Sequence, residues 1–377
     1  MTRGAEYTQG AAGQRPQLWA ARAAVAEQGV LARHVRRLWA LPGTRLGVAT
    51  WPPTFNHRLL LSWNYWWQAH LLDCLIDAQL RAPTPARLAT IRQHIRGVHV
   101  RNLGRWTNEY YDDIAWMGLA LLRASDEFGF DTEKALDAIT AQIRAGWTDH
   151  GGGGIWWKRS DTLKNVPANG PAAILLARFA QDRADRQRAR SMTDWMDEYL
   201  LDDTTGLIWD GLYVHSDGEV RERVEIVYSY CQGVFLGACV ELAVGDPSGE
   251  WTERADRTVR AVARHLAVDG VIPGRAGGDG GLFAGILARY LALSAIHLPE
   301  ASGDLAAWMV ITTAEATWRN RGVARSGPLF GDEPVVTAIT PRGRRDRRVE
   351  RDLSVQLSGW MFMEAAALLE GHASMAP

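Results

Sequence analysis

The sequence predicts an all-α fold in which helical hairpins stack into a closed ring, and three observations lead there. Helical periodicity fills the chain while strand alternation is scarce. The helical segments alternate in character: a charged, amphipathic one is followed by one poor in charge and rich in Ala, Gly, Leu and aromatics, six times over, at roughly 50 to 60 residues per pair. Each apolar segment also opens on a cluster of polar and aromatic residues. A helix that is apolar on nearly every face has to be buried, whereas an amphipathic one can lie outside it. Six hairpins closed on themselves put the first kind inside and the second outside, so that no hairpin keeps an exposed apolar face.

Taken in order, the expected helices span 17–40, 59–80, 85–100, 110–128, 132–147, 168–183, 187–201, 225–244, 250–267, 279–297, 303–320 and 352–370. The outer members carry runs such as Trp251-Thr-Glu-Arg-Ala-Asp-Arg257; the inner ones carry runs such as Gly233-Val-Phe-Leu-Gly-Ala238. Residues 1–15 read as a disordered, polar and glycine-rich tail, and 16–377 as a single catalytic domain. The opening clusters are Trp63 to Gln68, Tyr111 to Asp113, Asn165 to Gly170, Tyr228 to Gly233, Gly277 to Gly281 and Ser354 to Trp360. Parallel inner helices bring all six starts out at one end, which assembles a crevice, the expected ligand site.

Composition narrows the partners. The formal net charge of −1 over 377 residues argues against nucleic acid. Residues 1–14 lack the apolar centre of a signal peptide, and no later run approaches the roughly 20 apolar residues of a membrane span, so a cytoplasmic protein is expected. The three cysteines fit a reducing compartment. Cys231 and Cys239 fall two turns apart on one helix, roughly 12 Å of rise, which is too far for a disulfide.

The chemistry centres on Asp112 and Asp113, adjacent carboxylates at the mouth of a buried helix. An N-cap with an acidic neighbour is one account of them; a pair of working carboxylates is the other. Side chains splayed from neighbouring residues can stand about 5 to 5.5 Å apart, the separation of a retaining glycosidase. Seventeen tryptophans exceed ordinary usage. Trp19, Trp39, Trp195, Trp251, Trp308 and Trp318, on outer helices, are read as core, whereas Trp66, Trp67, Trp156 and Trp157 fall in crevice segments. No cofactor or metal is called for, because the histidines show no ligand spacing and the glycine run 277–281 lacks the context of a phosphate loop. A diphosphate-binding aspartate motif would want a third acid at position 116, which is Trp116. An epimerase would want inner-helix histidines, for which only His70 and His297 are placed.

Several stretches together resemble glycoside hydrolase family 76: Tyr110-Tyr111-Asp112-Asp113-Ile114-Ala115-Trp116, Gly-Gly-Ile-Trp-Trp at 153–157, Lys-Asn with Asn-Gly at 164–170, Gly-Leu-Ile-Trp-Asp-Gly at 206–211 and Tyr-Cys-Gln-Gly-Val-Phe-Leu-Gly-Ala at 230–238. The resemblance implies an (α/α)6 barrel and retaining cleavage of α-1,6-linked mannan or manno-oligosaccharides, with Asp112 as nucleophile and Asp113 as general acid/base. It departs from the family pattern at Asp279-Gly280-Gly281-Leu282-Phe283, where Asp-Gln is expected before the Phe segment. From the crevice clusters, the sugar-binding candidates are Trp66, Gln68, Tyr111, Trp156, Trp157, Asn165, Asn169, Tyr228, Gln232 and Asp279. A mannosyl transglycosylase on the same scaffold and a mannan-binding protein without turnover stand as alternatives. The arginine-rich stretch 342–348 reads as a solvated loop, with contact to an anionic substrate group or a lid as the other account. Oligomeric state is not legible.

Overall fold

The alternation in the sequence becomes an outside and an inside. In a computed structural model, which describes residues 18–179, 183–246, 248–324 and 326–375, six outer helices alternate with six inner ones. The first three hairpins are α1 (Leu18–His34) with α2 (Tyr65–Arg81), α3 (Pro85–Arg101) with α4 (Tyr111–Phe128), and α5 (Glu133–Ala145) with α6 (Val166–Phe179). The second three are α7 (Arg183–Leu200) with α8 (Ser229–Ala243), α9 (Glu250–Ala261) with α10 (Phe283–His297), and α11 (Glu300–Arg319) with α12 (Leu353–Met375). Each inner helix packs on the next, α12 closes on α2, and α1 lies against α12, which makes the ring an (α/α)6 barrel. The expected tail at 1–15 lies outside the described residues.

The reasons are local first. Thr84 caps α3 by accepting the Arg87 N–H at 3.2 Å, with Pro85 in the first turn where its missing N–H costs nothing. On α9, Trp251, Ala255, Thr258 and Val259 are buried, while Arg254 reaches out to Asp194 and Asp197 of α7. Along α8, by contrast, Ser229 to Val240 is buried apart from Tyr230, as a helix enclosed by neighbours requires. Glycine lets the inner helices touch. A Cβ on Gly233 would stand 3.0 Å from the Cα of Leu287 on α10, and one on Gly285 would stand 2.6 Å from the Cα of Ser358 on α12.

Several expectations need correction. Helix α1 stops at His34 instead of running to 40, because β1 (Val35–Arg36) pairs antiparallel with β2 (Leu46–Gly47). Helix α2 starts at Tyr65, not 59, since Phe55–Arg58 forms a separate turn capped by Thr54. A three-stranded antiparallel sheet, β3 (Leu163–Asn165), β4 (Gly211–Val214) and β5 (Val220–Val224), joins two inter-helix segments, and β6 (Gly322–Ala324) pairs with β7 (Gly327–Leu329). Strands of two to five residues are too short to reveal a period of two. Trp39 and Trp308 are not core: they are 50% and 49% exposed. Residues Gly278–His297 are long and apolar enough to cross a membrane by length and composition, contrary to expectation, but they are mostly buried inside the ring as α10 and the turn before it. Cys74, Cys231 and Cys239 are free and buried, as expected. The arginines of 342–348 are exposed around Asp346, which accepts from the Arg342 N–H at 2.8 Å and from Arg351, in line with a solvated loop.

Candidate active site

A cavity of about 960 Å³ opens at the end of the ring where the inner helices begin. The starts of α2, α4, α6, α8 and α10 all reach it. The sixth does not: Ser354, Gln356 and Ser358 of α12 are buried, and the Ser358 hydroxyl accepts the Gly285 N–H at 2.9 Å instead.

Asp112 and Asp113 lie in the first turn of α4 and both line the cavity. Their surroundings diverge. Asp112 Oδ1 accepts the Asp113 N–H at 2.8 Å, and its Oδ2 accepts the Trp157 indole N–H at 3.0 Å. Asp113 Oδ2 instead accepts from the Asn108 amide at 2.6 Å. Desolvation raises the Asp112 pKa to about 6, against the pull of those two N–H donors. Desolvation and then the neighbouring Asp112 charge push Asp113 well above the ordinary carboxylate range. One acid is thus held ready to ionise and the other held protonated.

Trp157 reaches Asp112 because the chain before β3 is laid down as a ladder. Trp157 N–H donates to Leu163 C=O at 2.8 Å, and Tyr111 N–H donates to Trp157 C=O at 2.9 Å. Alternate residues of an extended chain face opposite ways, so of Trp156 and Trp157 only the second lines the cavity. Trp156 turns the other way, under the Lys164 ammonium, which stands 4.6 Å from its ring centre. Lys164 is fully buried and donates to the carbonyls of Thr148, His150, Gly153 and Gly154 at 2.6 to 3.0 Å. It ties down a loop whose four glycines, 151–154, have φ of 61°, 79°, 135° and 79°, which residues with a Cβ rarely adopt.

Among the other candidates, Trp66, Asn165, Tyr228 and Asp279 also line the cavity. Asp279 Oδ1 accepts the indole N–H groups of Trp66 and Trp67 at 3.1 and 2.9 Å. Tyr111, Trp156, Gln68, Asn169 and Gln232 do not line it. The Tyr111 ring packs over Gly146, away from the opening, while Tyr110 takes the place facing it. The three amides share a different task. Each is the fourth residue of its inner helix and makes a two-point clamp on one backbone residue of the segment before it: Gln68 on Gly47, Asn169 on Ile155 and Gln232 on Ile208. Gln356 does the same to Phe330 from α12. Satisfying a buried N–H and C=O together, these clamps fix where each loop enters the ring.

Asp210 and Asn108 are among the site residues that went unread. Asp210 lines the cavity beside Tyr213, is 8% exposed, accepts from the Cys231 thiol, and has its pKa lifted to about 6 by burial. Its signal was its place in the 206–211 motif. Asn108 holds Asp113 and is itself fixed, its Oδ1 taking the Tyr110 N–H at 2.8 Å and its carbonyl taking the Gln142 amide at 2.8 Å. An Asn three residues before a helix start, its side chain taking the N–H two residues on, is the mark of such a turn. The ring stack of Tyr230 on Phe283, 4.0 Å between centres, completes the wall. His70 lies beneath the floor against Trp66 and Trp116, with burial driving its pKa to about 3, and does not line the opening. Among the described residues no group of three His, Cys, Asp or Glu side chains is arranged to hold a metal ion.

The sequence matches the family described as glycosyl hydrolase family 76 over residues 19–339. Among solved structures it is similar to the GH76A α-1,6-mannanase of Salegentibacter sp. HEL1_6, at 31% identity and a TM-score of 0.81, covering 93% of this chain and 99% of that one. That mannanase is also known as inactive variants with two adjacent aspartates replaced, in complex with α-1,6-mannotriose and with α-1,6-mannotetrose. The Lin0763 protein of Listeria innocua shares the fold at 24% identity and a TM-score of 0.81, over 94% of this chain and 98% of that one. So does the family 76 mannosidase Bt3792 of Bacteroides thetaiotaomicron, at 15% identity and 0.74, over 94% and 99%. A comparison with curated proteins finds no match.

Proposed function

The chain belongs to glycosyl hydrolase family 76 and is a glycoside hydrolase, and from that premise we propose that it cleaves α-1,6-mannosidic linkages with retention, through Asp112 and Asp113. Two adjacent aspartate pairs occur in the sequence, 112–113 and 202–203. Asp202 caps a surface turn through Thr204 and Thr205, so the pair at 112–113 is the counterpart in kind of the aspartates whose replacement inactivates the Salegentibacter mannanase.

The roles follow from environment. Asp112, ionised and steadied by two N–H donors, attacks the anomeric carbon while Asp113 gives its proton to the departing glycosidic oxygen. A mannosyl ester on Asp112 results. Asp113, now ionised, takes a proton from water; the hydroxide oxygen bonds to the anomeric carbon, and Asp112 leaves as carboxylate with the original configuration restored. Asp210 and Asp279 accept sugar hydroxyls, and Tyr228, Trp66 and Trp157 cover sugar faces. The observation that carries this is the pair of neighbouring carboxylates with opposite surroundings inside one sugar-sized, aromatic-walled cavity. Incubation with α-1,6-mannotetraose should release shorter oligomers whose new reducing ends are first α by proton NMR. Absence of cleavage rejects the reading, and β products reject the mechanism.

A further inference from the structure

Among the described residues, seven other than glycine have a left-handed backbone, and four of them are Trp39 and Leu60, both contacted by the Arg101 side chain, with Ala40 next to Trp39 in the chain and Leu103 two residues after Arg101. Their φ angles are 46°, 62°, 54° and 56°. Such conformations persist only where the surroundings enforce them, and they concentrate at working sites. Here the enforcement is visible. Arg101 donates from Nε to Leu60 C=O at 2.8 Å and from Nη2 to Leu61 C=O at 3.1 Å. The Trp39 indole N–H donates to Leu59 C=O at 2.7 Å.

The result is an aromatic ring held rigidly in solvent. The Arg101 guanidinium carbon lies 5.8 Å from the centre of Trp39 and 4.9 Å from that of Trp63, so it bridges the two rings. Trp63 belongs to the cavity wall, together with Asn64 and Asn102. Trp39 is half exposed, with Leu61 and Leu103 more exposed still. The aromatic surface of the cavity therefore continues past its rim, along a shelf whose free energy cost is unexplained by core packing.

We propose that Trp39, Arg101 and Trp63 form a distal subsite that holds a mannosyl unit of a longer chain outside the cavity. The occupant follows from continuity: a saccharide chain leaving the cavity at Trp63 runs onto Trp39, and a flat ring covers the C–H face of a pyranose. A ring immobilised in advance loses little freedom on binding. The proposal rests on the mannanase reading and adds the length of substrate that the enzyme favours.

The test compares kcat/KM for α-1,6-mannohexaose and α-1,6-mannotriose in the wild type, Trp39→Ala and Trp39→Phe. Trp39→Ala should lower the hexaose-to-triose ratio about tenfold, the weight of one ring stack, through KM. Trp39→Phe should keep most of the ratio. Because a folding defect depresses both substrates alike, an unchanged ratio, or a loss confined to kcat, overturns the subsite while leaving the mannanase reading in place. If the wild type cleaves neither oligomer, that reading falls instead. Calorimetric titration with mannohexaose then decides the subsite separately: weaker binding by Trp39→Ala supports it, and equal affinity or no binding to either protein overturns it.

Discussion

Both ends of the helical ring carry clusters of carboxylates, and the two sets are treated in opposite ways. At the far end, Asp73 and Asp77 of α2 meet Arg123 of α4 and Arg289 of α10 in a four-way box, with Arg289 contacts of 2.6 and 2.7 Å. Glu364 of α12 is paired there with Arg81 at 2.9 Å. Burial works to raise the Asp73 carboxyl, but Arg123 and Arg289 hold it down to about 2. At the crevice end, Asp112, Asp113, Asp210 and Asp279 form no ion pair among the described residues, and the first three are pushed up by desolvation. The far end uses its arginines to join four inner helices. The crevice end leaves its acids without ion-pair partners, and Asp112, Asp113 and Asp210, raised by burial, can lose or take a proton closer to neutral pH.

The largest effect that bears on this contrast is chemical. Asp112→Asn should cut kcat on α-1,6-mannotetraose on the order of a thousandfold or more, since the covalent step loses its nucleophile; activity within tenfold of wild type would dissolve the distinction between the ends. Arg289→Met tests the other end. It strips one cation from the box, so it should destabilise the fold by about 3 kcal/mol in denaturant titration, with kcat of the folded fraction nearly unchanged.

The pH dependence sharpens the contrast further. The rate needs Asp112 ionised and Asp113 protonated, so kcat/KM should rise with pH through an apparent pKa near 6 and fall again as Asp113 ionises, both values belonging to the pair. Stability moves the other way. A carboxyl whose folded pKa is raised supports the fold fully below its unfolded pKa, and that support is lost as pH rises through the folded value. Asp113→Asn should therefore raise Tm at pH 7 and leave it unchanged near pH 4. A lower Tm at pH 7 would mean that Asp113 is compensated after all. The smallest effect is expected from Trp157→Phe, which removes one donor from Asp112. The acid limb should move above 6 and kcat/KM should drop about tenfold.

How far the sequence could be read depended on whether a feature was periodic. The twelve helices and their inner or outer placement were legible because burial acts on every third or fourth residue of an outer helix and on nearly every residue of an inner one. The pair at 112–113 was legible because a helix start concentrates its signal in adjacent residues. The amides were misread for a physical reason: Gln68, Asn169 and Gln232 have the same donors and acceptors whether they meet a sugar hydroxyl or a peptide group, and only the path of the preceding loop decides. Trp156 against Trp157, and Tyr110 against Tyr111, were undecidable without knowing which face the backbone turned to the opening.

The sequence by itself determined the ring, the end at which its helices open, and the acidic pair at that opening, because each is written in neighbouring residues or in a repeating pattern. Only the tertiary structure decided which carboxylates go without a cation. That depends on whether an arginine such as Arg123 or Arg289, some 50 to 216 residues away in the chain from Asp73, arrives beside an acid, and no local pattern encodes such an arrival.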